Sequence, residues 1–124
     1  MIPREDIGRW LDAYGQAWET RDAHAIGELF TEEATYQETP FVEPMRGRPA
    51  IREYWMSAVV RTQQQIRFGY EVLAVAGDSC LAHWWASFTR VSTQAPVKLD
   101  GIFLLTFTSE GLCCELREWW VKKN

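Results

Sequence analysis

The sequence has few of the residues that build metal, redox or disulfide sites. It contains two histidines and three cysteines, and Cys80, Cys113 and Cys114 do not follow the spacing of a metal-binding motif. Cys113 and Cys114 are adjacent, so in a strand their side chains would point to opposite faces and make poor disulfide partners. We therefore expect reduced, buried cysteines, no metal site and a cytoplasmic protein.

The sequence also lacks an excess of basic charge, long apolar runs and nucleotide-binding motifs. Its formal net charge is −4, whereas a nucleic-acid-binding protein needs a basic face. No apolar segment approaches the roughly 20 residues that cross a bilayer, and the first residues form no apolar signal region. No glycine-rich phosphate loop or nucleophile elbow is present. We expect no nucleic-acid partner, no membrane association and no cofactor.

Tryptophan, in contrast, is abundant, with seven residues in a chain of 124. Such rings build a thick core or line a cavity for a flat apolar ligand. A chain of this length is predicted to form one domain, residues 1–124.

The first half of the sequence has helical periodicity. An amphipathic helix is predicted over about residues 4–20, and Asp22 can cap a second helix, Ala23–Phe30. A short strand, Ala34–Glu38, precedes a third helix that opens near Pro49. The apolar stripe of this third helix consists of Ile51, Tyr54, Trp55, Ala58 and Val59.

From Ile66 onward the pattern becomes strand-like, with turn residues between successive segments. The predicted strands are Ile66–Ala76, Cys80–Val91, Val97–Thr108 and Leu112–Val121. Three N-terminal helices followed by these strands predict an α+β fold, in which the helices pack on one face of a curved antiparallel sheet.

Several of these strands are apolar on both faces, as in the run Ile102–Leu105. Helices can cover only one face, so we expect a homodimer through the outer sheet face. The alternative is that neighbouring strands and loops cover these residues.

The most unusual residue is Glu118 in the segment "LREWW". Side chains alternate along a strand, so Glu118 shares an apolar face with Leu116 and Trp120. Burial would raise the pKa of such a carboxyl toward neutrality, where it could act as an acid or a base. The alternative role is structural, in an ion pair or in hydrogen bonds to tyrosine or indole groups.

Other polar residues can join Glu118. Tyr36 and Glu38 share one face of the first strand, and Tyr14 lies on the apolar face of helix 1. Two carboxyls and a phenol around an apolar cavity can supply an acid, a base and a hydrogen-bond donor. Glu38 could instead be solvated, and Tyr14 could serve only in the core.

His83 is a further catalytic candidate, although neither face of its strand is clearly polar. Asp100 could pair across strands with His83 or with Arg90. The walls of the substrate pocket are expected to include Trp55, Trp85, Phe103, Leu116 and Trp120.

Three segments, "RDAHAIGELFTEEATY", "RGRPAIREYW" and "GIFLLTF" with "GLCCELREWW", resemble the nuclear transport factor 2-like superfamily, in particular its SnoaL-like branch. This resemblance implies a cone-shaped α+β fold with a deep pocket. It leaves the activity open, because the superfamily includes isomerases, cyclases, dehydratases, hydrolases and non-catalytic binders.

Two enzyme families of the superfamily suggest roles for individual residues. Similarity to ketosteroid isomerases places Tyr14 at the oxyanion-hole tyrosine, Glu38 at the general base and Phe103 at the second oxyanion acid. Similarity to limonene epoxide hydrolases places Tyr36 and Glu38 at the water-binding pair, and Glu118 at a catalytic aspartate. The remaining two positions of that family's triad fall on His83 and Trp85, or on Ala82 and Trp84.

Two functional hypotheses follow. The first is a small-molecule enzyme that uses cofactor-independent acid–base chemistry, of isomerase, cyclase or hydrolase type, on an apolar cyclic or aromatic substrate. The second is a non-catalytic ligand-binding or dimerisation module.

Overall fold

The helical layer forms as the apolar periodicity predicts. The computed structural model of the protein describes residues 2–123, and its helices are α1 (Arg4–Glu19), α2 (Ala23–Gly27) and α3 (Arg48–Trp55). Helix α3 continues as a π-helical turn, Met56–Val60. No helix in the described part of the chain is long and apolar enough to cross a membrane.

The strands form one curved sheet under these helices, which confirms the α+β fold. Within residues 2–123 the sheet has six strands in the order β2-β1-β6-β5-β4-β3. The strands are β1 (Phe30–Gln37), β2 (Met45–Arg46), β3 (Gln63–Ala76), β4 (Ser79–Arg90), β5 (Pro96–Phe107) and β6 (Cys113–Lys123).

The largest departure from the predicted elements lies between α2 and β1. Asp22 caps α2 as expected, since its Oδ1 accepts a hydrogen bond from the Ala25 N–H at 2.9 Å. The helix, however, ends at Gly27, and Phe30 already begins β1. The reason is tertiary: Phe30 pairs in parallel with Cys113 of β6, and the Leu29 carbonyl accepts the Cys113 N–H at 3.0 Å.

The pairing of β1 with β6 also makes the sheet mixed rather than purely antiparallel. It places Tyr36 level with Leu116, two residues from Glu118 on the neighbouring strand. On the other side of β6, Phe103 of β5 lies directly opposite Glu118. The central position of β6 therefore sets the surroundings of Glu118.

Gly101 lets a large ring lie close to the inner face of the sheet. A Cβ atom built at this position would be 2.7 Å from the Trp84 ring and 2.7 Å from the Trp119 carbonyl oxygen. Both distances are too short for a real contact. The absence of a side chain at Gly101 therefore allows Trp84, its cross-strand partner, to occupy the inner face.

The outer sheet face carries a large share of apolar side chains. Trp119 lies beside Ile102, and Val121 follows at the next outward position with 69% of its surface exposed. Leu81 and Trp85 of β4 are exposed on the same face. The homodimer expected through this face stays a prediction, based on the general rule that extended apolar surface marks an interface.

We predict that Val121→Glu converts a dimer into a monomer, because a carboxylate placed within an apolar interface is desolvated without a partner. Sedimentation equilibrium of the wild type should give the dimer mass, and the variant should give the monomer mass with an unchanged circular dichroism spectrum. Phe41→Glu is the matched control, because Phe41 is fully exposed in a loop. A monomeric wild type would contradict the prediction.

Candidate functional site

A cavity of about 220 Å³ lies between the helical layer and the inner face of the sheet. Helix α1 and α3 with its π-helical turn form one wall, and the sheet forms the other. The lining residues are Tyr14, Trp18, Tyr36, Glu38, Tyr54, Trp55, Ala58, Val59, Gln63, Trp84, Phe88, Arg90, Leu99, Glu118, Trp120 and Lys122.

Glu118 lies on the floor of this cavity, and only 6% of its surface is exposed. Strand alternation turns Glu118 inward and its neighbours Arg117 and Trp119 outward, where the Arg117 guanidinium lies 4.9 Å from the Trp119 ring centroid. None of the ion pairs formed within residues 2–123 involves Glu118. The carboxyl is therefore buried without a balancing cation.

The electrostatic surroundings of Glu118 favour its neutral form. Burial raises the pKa of the Glu118 carboxyl well above its usual range, and the nearby Glu38 carboxylate raises it further. Hydrogen bonding with Tyr36 lowers this pKa but offsets only part of the rise. The carboxyl consequently keeps its proton to much higher pH than an exposed glutamate.

Two tyrosines form a buried hydroxyl pair above the carboxyl. The Tyr14 and Tyr36 hydroxyl oxygens are 2.9 Å apart. Burial is the main reason that the pKa of each phenol is well above its ordinary value, and Glu118 adds to the rise. Both hydroxyls therefore remain protonated and can donate hydrogen bonds.

Glu38 also lines the cavity, but it is less buried than Glu118. The Trp120 indole N–H donates to the Glu38 backbone carbonyl at 3.0 Å, which holds the end of β1 against β6. Burial raises the pKa of Glu38, while hydrogen bonds with Tyr54 and Thr39 lower it. The two carboxyls therefore sit in unequal environments, and Glu38 ionises more readily than Glu118.

The other predicted wall residues divide into two groups. Trp55 and Trp120 line the cavity itself. Phe103 and Leu116 are fully buried behind the lining, and the Phe103 ring supports Tyr14 and Trp84 with centroid distances of 5.4 Å and 5.3 Å. These two residues shape the cavity through the side chains that they hold.

His83 and Trp85 do not join the cavity, which corrects the placement expected for them. The side chains of Ala82, Trp84, Ala86 and Phe88 face inward, so the odd-numbered residues of β4 face outward. Trp85 is 43% exposed there. The inward set is purely apolar, whereas the outward set contains His83 and Ser87, but each set also carries a tryptophan, so this difference did not identify the inner face from the sequence.

His83 instead forms an ionic cluster on the outer face. Its Nε2 is 3.0 Å from the Asp100 carboxylate, and its Nδ1 is 3.3 Å from Glu71. Of the two partners considered for Asp100, the structure therefore selects His83. The hydrogen bond with Asp100 is the main reason that the pKa of His83 is raised.

Several lining residues were not singled out from the sequence as site residues. Tyr54 was placed only on the apolar stripe of the third helix. Gln63 is buried where its Oε1 accepts the Trp18 indole N–H at 2.8 Å. The sequence carried no signal for Gln63, because a glutamine in a polar run resembles a solvated helix exit.

Comparison with known proteins places this architecture in a family. The model of the SnoaL-like domain matches residues 10–116 of the chain. No curated protein matches the chain.

Solved structures share the fold across nearly the whole chain. The epoxide hydrolase/cyclase-like enzyme SalBIII, which acts in pyran ring formation in the polyether salinomycin, is 26% identical with a TM-score of 0.83, and the match covers 98% of this chain and 95% of SalBIII. An isomerase candidate from Bacillus subtilis is 18% identical with a TM-score of 0.82, covering 98% and 90%. A hypothetical protein of ketosteroid isomerase-like fold from Catenulispora acidiphila, bound to trimethylamine, is 18% identical with a TM-score of 0.77, covering 89% and 83%.

We predict that Glu118→Gln raises the stability of the protein relative to the wild type as the pH rises above about 5. The folded wild type holds the Glu118 proton more tightly than the unfolded chain, whose glutamates titrate near pH 4.3. The free energy of unfolding of the wild type therefore falls by up to about 1.4 kcal/mol per pH unit until the pH passes the raised pKa of Glu118. Glutamine has no proton to lose and removes this dependence.

Thermal unfolding of both proteins between pH 5 and pH 8 measures the effect. The difference in melting temperature should grow with pH in favour of the variant. In the otherwise unchanged protein, Glu38→Gln should weaken the pH dependence of the melting temperature, because it removes a negative charge that raises the Glu118 pKa. A melting difference that is constant over the pH range would contradict a protonated Glu118.

Proposed function

The chain belongs to the SnoaL-like domain family of the nuclear transport factor 2-like superfamily, and from that premise we propose that its cavity catalyses cofactor-independent proton transfer on a small, apolar, oxygen-bearing molecule. The observation that carries this proposal is the unequal pair of carboxyls, Glu118 and Glu38, in one aromatic cavity. Two carboxyls whose surroundings separate their pKa values divide the roles of acid and base.

Glu118 is the general acid in this scheme. Its burial without a cation keeps the proton on the carboxyl, and the cavity around it is lined largely by aromatic rings. A donor in a dry site acts more strongly on developing negative charge than the same donor in water. Tyr14 and Tyr36 add neutral hydroxyl donors next to it.

Glu38 is the general base. It is closer to solvent and ionises first, so it is the carboxyl able to accept a proton from the substrate. Its hydrogen bond with Tyr54 orients the carboxylate and keeps its pKa from rising further. A substrate in the cavity can therefore contact Glu38 near the solvent side and Glu118 deeper inside.

Ring closure of a hydroxy-epoxide is the reaction that this arrangement serves most directly. Glu38 takes the proton of the substrate hydroxyl, the hydroxyl oxygen forms a bond to one epoxide carbon, and the bond from that carbon to the epoxide oxygen breaks. Glu118 gives its proton to the released oxygen, and proton exchange between the carboxyls restores the enzyme. The likeness to SalBIII supports this class of reaction.

The size of the cavity limits the substrate. At about 220 Å³ it is smaller than the roughly 300 Å³ at which pockets for drug-sized ligands begin. It can therefore enclose one small ring or the reacting part of a longer molecule. The rings of Trp55 and Trp120 provide flat apolar contacts for it.

We predict that Glu118→Gln lowers kcat/KM by about 10²–10⁴, the usual contribution of general acid catalysis, on a short hydroxy-epoxide spaced to close a pyran ring. The wild type should show a bell-shaped pH profile, in which activity needs ionised Glu38 and protonated Glu118. The high-pH decline should be missing from the residual activity of Glu118→Gln, and the low-pH decline from that of Glu38→Gln.

Glu115→Gln is the matched control, because Glu115 is an exposed residue of the same strand and should leave the profile unchanged. Full activity in Glu118→Gln would exclude this carboxyl as the acid. If the wild type and all variants bind the hydroxy-epoxide but none of them converts it, the protein is a ligand-binding module instead.

A further inference from the structure

Gln63 and Glu118 are the two buried residues of the described chain that have amide or acidic side chains, with 7% and 6% of their surfaces exposed. Both line the same cavity. Side chains of these types are mostly exposed in proteins, so each needs a reason to lie inside. The proposed acid–base chemistry uses Glu118 and leaves Gln63 without a role.

The register of the sheet places the Gln63 side chain on the inner face. Gln63 lies directly opposite Arg90, and the side chains of paired residues in an antiparallel ladder share one face. Arg90 follows Phe88 at the two-residue interval of the inward side chains of β4, and it lines the cavity as well. Gln63 therefore points toward the helical layer, where its Oε1 accepts the Trp18 indole N–H at 2.8 Å.

The hydrogen bond with Trp18 determines which end of the Gln63 amide is free. An indole N–H can only donate, so the atom that it meets is the amide oxygen. The amide nitrogen Nε2, which carries two N–H donors, has no hydrogen-bond partner in the described chain. It is not sealed in by packing either, because the enclosed unpaired side-chain atoms of that chain are Nε of Arg52 and Nε1 of Trp55 and Trp84. An acceptor in the cavity can therefore reach the Gln63 amide nitrogen.

The surrounding structure holds this amide in place. The Trp18 ring packs against Tyr14 and Trp55, with centroid distances of 6.2 Å and 5.5 Å. Arg21 donates to the Gln63 backbone carbonyl at 3.4 Å, which holds the start of β3 against the end of α1. A donor that is fixed before the ligand arrives loses little conformational freedom on binding.

Gln63 and Glu118 occupy separate ends of the cavity lining. Glu118 lies level with Phe103 of β5, and Phe103 lies level with Ala82 of β4. Gln63 lies level with Arg90, at the far end of β4. One end of the lining therefore has a carboxyl, and the other has an amide donor next to a cationic residue. A ligand whose reacting part lies at Glu118 meets Gln63 with a different part of its structure.

We infer that the Gln63 amide binds an acceptor oxygen, such as a carbonyl or ether oxygen, on the part of the ligand that does not react. Gln63 is then a specificity-determining residue. This assignment rests on the proposed function and deepens it, because it gives the substrate a second polar group. A hydrocarbon in the same position would remove water from the amide without replacing its hydrogen bonds, which lowers affinity.

Two unreactive tetrahydropyrans test the inference, one with a side chain that ends in a methyl ketone and one whose side chain ends in an isopropenyl group. The end groups have nearly the same shape, and only the ketone carries an acceptor oxygen. Pairs with side chains of increasing length cover the span between the two ends of the cavity. In Gln63→Met, whose side chain has a similar length but no amide, the ratio of ketone to isopropenyl affinity should fall about fivefold, the equivalent of one neutral hydrogen bond.

Nitrogen–proton NMR of the side-chain amides gives a second measurement on the wild type. The Gln63 resonances are identified by their loss in Gln63→Met, and saturation with the ketone should move them downfield, whereas the isopropenyl probe should not. Gln64→Met is the matched control, because the Gln64 amide donates to Gln94 at 3.3 Å in an exposed position. The affinity ratio of this control should stay at the wild-type value.

The same affinity ratio in Gln63→Met as in the wild type at every side-chain length overturns the inference, and so do unmoved Gln63 resonances at the highest ketone concentration. A loss of packing at Trp18 would weaken both probes alike and leave the ratio unchanged, so the ratio reports the oxygen contact. If Gln63→Met fails to fold, the wild-type resonances decide, with their assignment taken from Gln63→Glu, which keeps an acceptor for Trp18. Neither measurement requires turnover, so a protein that prefers the ketone but closes no hydroxy-epoxide would refute the proposed reaction and leave the Gln63 site standing.

Discussion

The burial of one carboxyl group, that of Glu118, governs the arrangement of this protein's interior. Glu118 is on β6, which lies between β1 and β5, so Tyr36 flanks the carboxyl on one side and Phe103 flanks it on the other. Removing a charged carboxylate from water is costly, and without a cation the group lowers this cost by staying protonated. A mixed sheet and an aromatic helical layer therefore surround the Glu118 carboxyl and favour its neutral, protonated form.

The aromatic enclosure has a second effect, because it supplies donors as well as apolar surface. One hydrogen bond joins the phenols of Tyr14 and Tyr36, while the indole nitrogens of Trp55 and Trp84 have no protein acceptor within the described chain. Hydrogen bonds formed in a medium of low dielectric constant are stronger than those in water. The hydrogen bond between the Tyr14 and Tyr36 hydroxyls is therefore stronger than it would be in water.

The sheet separates two kinds of chemistry by the alternation of its side chains. On β4, the inward Trp84 lies against Gly101 and helps to close the cavity, whereas the adjacent His83 meets Asp100 and Glu71 outside. A shift by a single residue exchanges the two faces of a strand. The neighbours His83 and Trp84 consequently belong to different surfaces of the molecule.

The sequence by itself determined the helices, the long strands and the inward position of Glu118, because these depend on local periodicity and on alternation along a strand. The Asp22 cap was equally local. Tertiary structure decided the early start of β1 at Phe30, since the parallel pairing with Cys113 joins segments far apart in the chain. It also decided which face of β4 is inner, because each face offered a tryptophan opposite a cross-strand glycine, Trp84 opposite Gly101 and Trp85 opposite Gly69. The different pKa values of Glu38 and Glu118 and the unpaired indole nitrogens of Trp55 and Trp84 depend on burial. Burial is defined only in the folded chain, so the sequence pattern did not show these properties.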